Sequence, residues 1–126
     1  MTLAQPVDEN PDPGRVVSTV ALRAAERLQI NARTLAGIIG VSEATISRMK
    51  RNEFGLEPGA KSFELALLFV RLFRSLDAIV GGDEQVAAMW LVNPNRTLEA
   101  RPIDKLQSVS GLVDVIAYLD ARRALI

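Results

Sequence analysis

The chain has 126 residues, 48% of them hydrophobic, with fifteen Lys/Arg against fifteen Asp/Glu and neither cysteine nor histidine. That length supports one compact domain or two small lobes sharing a core, and the apolar content is too high for disorder. Disulfides, thiolate nucleophiles, Cys/His zinc sites and histidine acid–base catalysis are all excluded. The charge is uneven along the chain. Residues 1–14 carry three acids and no base, residues 15–61 carry eight bases against four acids, and residues 62–126 carry seven against eight.

In chain order, residues 1–14 hold Pro6, Pro11, Pro13 and Gly14 among acids and predict a flexible arm. Val16 to Gln29 places apolar residues at 17, 20, 21, 24, 25 and 28, a helical stripe. Residues 32–51, ARTLAGIIGVSEATISRMKR, predict two short helices meeting at a glycine. Leu35, Ala36 and Ile39 share one face of the first, and Gly40 stands where the chain must reverse. Val41 is placed to plug the turn, and Ser42 to cap the second helix. Ile46 and Met49 point inward. Ser42, Glu43, Ala44, Thr45, Ser47, Arg48, Lys50 and Arg51 are left on the outer side and ends, and these small, polar or cationic residues suit the DNA major groove. The basic excess of the chain lies over this segment, where phosphate contacts need it.

Asn52 to Gly59 predicts a loop. Ser62 to Val80 predicts a long helix, apolar almost all round and buried between layers, which ends at Gly81-Gly82. Three charges, Arg71, Arg74 and Asp77, exclude it as a membrane span. Asp83 is placed to cap a helix running to about Leu91, Asn93-Pro94-Asn95 makes a turn, and Pro102 starts a short helix. Ser110 or Gly111 opens the last helix, which runs towards Ala124 with Val115, Ile116 and Leu119 in register. No segment alternates with period two, so the expected fold is all-α. No secretory pattern opens the chain, and a cytoplasmic location is expected. With no nucleophile–base pair and no phosphate loop, neither an enzyme nor a cofactor or metal is expected; Asp83-Glu84 reads as a helix N-terminal charge cluster.

The string Gly40-Val41-Ser42-Glu43-Ala44-Thr45-Ile46-Ser47-Arg48 resembles the helix-turn-helix of Xre/Cro-type repressors, in which GVS-x-x-T-[IV]-S-R recurs. Trp90-Leu91, Pro94-Asn95, Leu98, Pro102, Leu106, Gly111, Val115 and Leu119 follow in an order that resembles the C-terminal domain of the Xre/MbcA/ParS-type antitoxins. Two departures stand out: Glu99-Ala100 occupies the place where that family commonly has glycine after Leu98, and the last helix ends without a glycine.

The resemblance implies an N-terminal helix-turn-helix lobe (15–61) that binds operator DNA. Packed with it is a C-terminal helical lobe (62–126) that binds a RES-domain toxin, one that degrades NAD and is blocked at its active site. It implies repression of the chain's own operon, and a single helix-turn-helix of modest net charge, making few phosphate contacts, predicts a homodimer on a palindromic operator. Arg48 and Arg51 are then expected to reach bases or phosphates, helped by Ser42, Thr45 and Ser47. Glu43 either accepts from a cytosine or simply favours the helix N-terminus. Trp90, Pro102, Arg122, Arg123, Leu125 and Ile126 are the expected toxin-facing residues. For Arg122 and Arg123 the helix dipole is an alternative explanation. A stand-alone dimeric repressor, whose second half only dimerises it, is the alternative function.

Overall fold

The computed structural model describes residues 12–125, in seven helices with no strand among them. A lone antiparallel bridge joins Asn95 to Ala100. The all-α expectation therefore holds. Most of the predicted arm, and Ile126, lie outside the described residues.

Helix α1 (Pro13–Arg27) starts earlier than the apolar stripe suggests. The Asp12 carboxylate accepts from the Gly14 amide at 3.0 Å and Pro13 takes the first turn, so Pro13 and Gly14 belong to the helix and not to an arm. Its buried face matches the predicted stripe at Ala21, Ala24, Ala25 and Leu28 and departs from it only in the first turns. Gly14, Ser18, Ala21, Ala24 and Ala25 are buried, whereas Val17 is half-buried and Val20 is exposed. The cause is the Asn52–Gly59 loop, which lays its backbone on α1. A Cβ at Gly14 would stand 1.9 Å from the Leu56 carbonyl oxygen. The buried Ser18 hydroxyl donates to the Gly14 carbonyl at 2.7 Å and accepts from the Leu56 amide at 3.0 Å. Small residues are what let this loop approach, and the apolar count alone does not see that.

Helices α2 (Ala32–Ile39) and α3 (Glu43–Lys50) form the predicted corner. Asn31 caps α2 through the Thr34 amide at 2.8 Å. Gly40 closes it in the left-handed region at φ 76°, a conformation that costs a residue with a Cβ about 1–2 kcal/mol.

Helix α4 (Lys61–Ile79) is the spine. It packs against α1 and α2 on one side and most extensively against α7 on the other. Leu65, Ala66, Phe69, Val70, Leu72, Ser75 and Leu76 are buried. The expectation of burial all round needs correction, because Leu67, Arg71 and Arg74 form an outward strip.

Helix α5 (Glu84–Val92) is capped by Asp83, which accepts from the Val86 amide at 3.1 Å. Helix α6 (Pro102–Lys105) leads to α7 (Val109–Arg123). Ser108, and neither Ser110 nor Gly111, caps α7, accepting from the Gly111 amide at 3.1 Å. Gly111 instead allows a close backbone approach, since a Cβ there would lie 2.0 Å from the Lys105 carbonyl oxygen. One apolar cluster runs through both lobes, from Leu35, Ile39 and Ile46 through Phe69 and Leu72 to Leu91, Leu112 and Leu119. Each such side chain contributes about 1.5–3 kcal/mol by leaving water. At the surface, Gln107 adds a latch by donating to the Thr34 carbonyl at 3.1 Å.

Candidate functional site

The α3 surface is built by its cap and its two inward residues. Ser42 Oγ accepts from the Thr45 amide at 3.0 Å and also shares a 3.0 Å hydrogen bond with the Thr45 hydroxyl. Ile46 and Met49 are buried and Val41 is half-buried, which fixes the rotation of the helix. Glu43, Ala44, Ser47, Arg48, Lys50 and Arg51 are then exposed, and Thr45 is half-buried. Of the α3 residues that the sequence singles out, Thr45 is the one partly withdrawn from solvent.

The cations at the end of α3 are held, but loosely. The Arg48 guanidinium lies 5.0 Å from the centre of the Phe54 ring. Arg51 Nε donates to both carboxylate oxygens of Glu53 at 2.9 and 3.0 Å. An exposed cation–π contact is worth about 0.5–1 kcal/mol, and an exposed ion pair about 0.2–1 kcal/mol. Neither contact is strong enough to hold its arginine against a stronger partner.

Sequence reasoning misses Arg15, Asn52 and Phe54. Arg15 Nη1 donates to the Asn52 carbonyl at 2.6 Å and to its side-chain oxygen at 2.8 Å, bringing a further cation to the end of α3. The available signal is Asn52, which tolerates the left-handed φ of 59° it adopts there.

The C-terminal candidates come together differently. Trp90 on α5 stacks on Tyr118 of α7, with centroids 6.0 Å apart and planes 18° apart. Arg122 covers the same ring at 5.9 Å. Tyr118 is not among the sequence candidates, yet it joins two residues that are. Arg123 lies on another side of α7, where its Nη1 reaches the Ser75 hydroxyl at 3.5 Å. Leu125 is 84% exposed. Pro102 is buried as the first residue of α6, so it shapes the lobe and presents no free surface. Ile126 lies outside the described residues.

Beside Pro102, Arg101 donates to both oxygens of Asp104 at 2.8 and 2.9 Å. This hydrogen bond holds the Asp104 carboxyl below the usual carboxylate range and raises the guanidinium. The Asn95–Ala100 bridge closes the preceding turn, in which Glu99 takes a left-handed φ of 57°. Glycine is the residue that adopts this conformation without strain, and this chain puts glutamate there.

No helix of the described residues is long and apolar enough to cross a membrane. A family model of the antitoxin Xre-like helix-turn-helix domain matches residues 10–71. A second, of the antitoxin Xre/MbcA/ParS C-terminal toxin-binding domain, matches residues 75–124. Among solved structures, the chain is similar to one in the crystal structure of the M. tuberculosis MbcT–MbcA toxin–antitoxin complex. The TM-score is 0.66 at 20% identity, over 88% of this chain and 96% of that one, a likeness of fold. No curated protein matches the chain. With both parts matched in this order on an all-α frame, the chain belongs to the Xre/MbcA/ParS-type antitoxins.

Proposed function

We propose that this antitoxin neutralises a RES-domain, NAD-degrading toxin by covering its active site, and that it represses its own operon through α3. The observation that carries the proposal is the separation of two unlike exposed surfaces on one shared spine. Helix α3 packs chiefly on α2 and α1 and leaves its polar and cationic face exposed, whereas the aromatic and cationic end of α7, with Tyr118 against Trp90 of α5, belongs to a helix that packs chiefly on α4. The first suits a charged groove and the second suits a protein. Trp, Tyr and Arg are the residue types that dominate protein–protein hot spots, and Trp90, Tyr118 and Arg122 stand stacked there.

A single small reader with few cations makes few phosphate contacts, which favours a homodimer on a palindromic site with half-sites about one helical turn apart. Neutralisation is steric in this reading. The chain supplies an occluding element and no chemistry.

The decisive experiment is co-purification of the chain with the product of the adjoining reading frame, followed by an assay of NAD consumption with and without the antitoxin. Inhibition of NAD loss in a stoichiometric complex is expected. A partner that leaves NAD untouched overturns the assigned reaction. The end of α7 is tested in the same assay by removing residues 121–126, with the expectation that inhibition weakens while helical content and DNA binding persist. An unchanged inhibition constant removes the tail from the mechanism and leaves the Trp90–Tyr118 face to account for it.

A further inference from the structure

A groove of about 870 Å³ lies between α4 and α7, lined by Leu67, Arg71, Arg74 and Ser75 from one helix and Asp120 and Arg123 from the other. We propose that this groove seats a carboxylate-bearing segment of the partner toxin, with Arg74 as its main anchor and Arg123 beside it. The proposal rests on the antitoxin reading above and extends its contact surface onto α4. Ser75, Asp120 and Arg123 fall within the part matched as toxin-binding, whereas Arg71 and Arg74 lie outside it.

Three guanidinium groups face one carboxylate, and that carboxylate is already committed. One Asp120 oxygen accepts from Arg71 and the other from the Ser75 hydroxyl at 2.8 Å. Ser75 is 1% exposed, so Asp120 is anchored from beneath. Among the described residues, Arg123 has only the 3.5 Å approach to Ser75. Arg74 has no ion-pair partner among the described residues, Asp77 one turn further on included.

The helix dipole explains Arg123 at the end of α7 but not Arg74, which precedes the last turn of α4, a turn that carries no base. Among the described residues, two positive charges therefore remain without a counterpart in a concave surface, where like charges concentrate the field and draw an anion. Arginine forks suit carboxylates in bidentate geometry. Leu67, 46% exposed, gives the rim an apolar contact that suits a peptide segment better than a free ion. DNA is the less fitting occupant, because the reader α3 packs on α1 and α2 and the groove is walled by α4 and α7.

The test uses the full chain and the RES-type protein encoded beside it, with complex affinity titrated at two salt concentrations. Arg74→Glu is expected to raise Kd at least tenfold and to flatten the salt dependence. Arg74→Gln, which removes charge without adding any, is expected to give a smaller rise. Lys61→Glu makes the same charge change at the exposed start of α4, and it is expected to stay within twofold of wild type. Equal affinities for wild type and both Arg74 variants overturn the groove while leaving the antitoxin reading intact. So does an equal loss in Arg74→Glu and Lys61→Glu, or a loss confined to DNA binding. Absence of any complex with the wild-type chain overturns both.

Discussion

The helix-turn-helix and the C-terminal helices share one core, yet they present their functional candidates in opposite ways. In the first, the exposed polar residues lie within the single stretch Ser42–Arg51, and one cap and one turn orient them all. In the second, the groups that meet come from far apart: Ser75 and Asp120 are 45 residues apart, Arg71 and Asp120 are 49. A surface made by one helix is encoded locally. A surface made by two helices depends on how the spine between them packs, and so on residues that touch no partner at all.

The largest expected effects follow from that dependence, at the two glycines where backbone meets backbone. Gly14→Ala and Gly111→Ala each drive a Cβ to about 2 Å from a carbonyl oxygen, of Leu56 and Lys105 respectively, which only a backbone shift relieves. Each is expected to cost about 3 kcal/mol, the upper end for overpacking, measurable by urea denaturation. Because one core spans both lobes, each variant is expected to show a single transition and to weaken both activities. Two resolved transitions, with Gly14→Ala sparing toxin binding, would show that the lobes fold separately and that α4 is not a shared spine.

The next effect is confined to the first lobe. Arg48→Ala gives up its exposed contact with Phe54, a small loss in the free protein, and its expected contact with DNA. Specific operator affinity is expected to fall by about 1–3 kcal/mol at matched salt, with toxin binding unchanged. Wild-type affinity in a gel-shift titration would mean that α3 is not the reader.

The contrast also explains what is legible in the sequence. Sequence pattern places α2 to α4 to within a residue or two, because α2 and α4 carry an apolar face and a glycine stop and α3 carries a serine cap with two inward residues. Gly40 and Ser42 act on their immediate neighbours, so their roles can be read directly. The buried face of the first turns of α1 cannot, since it is set by a loop arriving from Leu56 onto Gly14 and Ser18, residues with little apolar weight. Tyr118 escapes for a related reason: its significance lies in Trp90, on another helix. Arg74 looks like an interruption of an apolar helix and acquires meaning only opposite Asp120 and Arg123.

Glu99 tests a feature the second lobe holds despite its sequence. Its left-handed φ of 57° is strained for glutamate and free for glycine, while glycine costs more to order from the unfolded chain. The balance favours glycine, and Glu99→Gly is expected to stabilise the protein by about 0.5–1 kcal/mol, with a rise in Tm and no change at the operator. A fall in Tm would show that the Glu99 side chain contributes something beyond its backbone.

The smallest effect concerns Arg101 and Asp104, which brace α6 beside the Gln107 latch to α2. The hydrogen bond from Arg101 lowers the Asp104 carboxyl below its ordinary range. A carboxyl lowered on folding contributes stability above its unfolded pKa and loses that contribution as pH falls through the folded value. The bracing is therefore complete at neutral pH and is lost only below the usual carboxylate range. Both groups are exposed, so solvent screens the pair and little change in global stability is expected. The readout is local: the Asp104 carboxyl, followed by NMR, is expected to titrate lower in the wild type than in Arg101→Gln. Equal midpoints would mean that the pair is not maintained in solution. The brace on the second lobe would then reduce to the Gln107 contact and the shared apolar core.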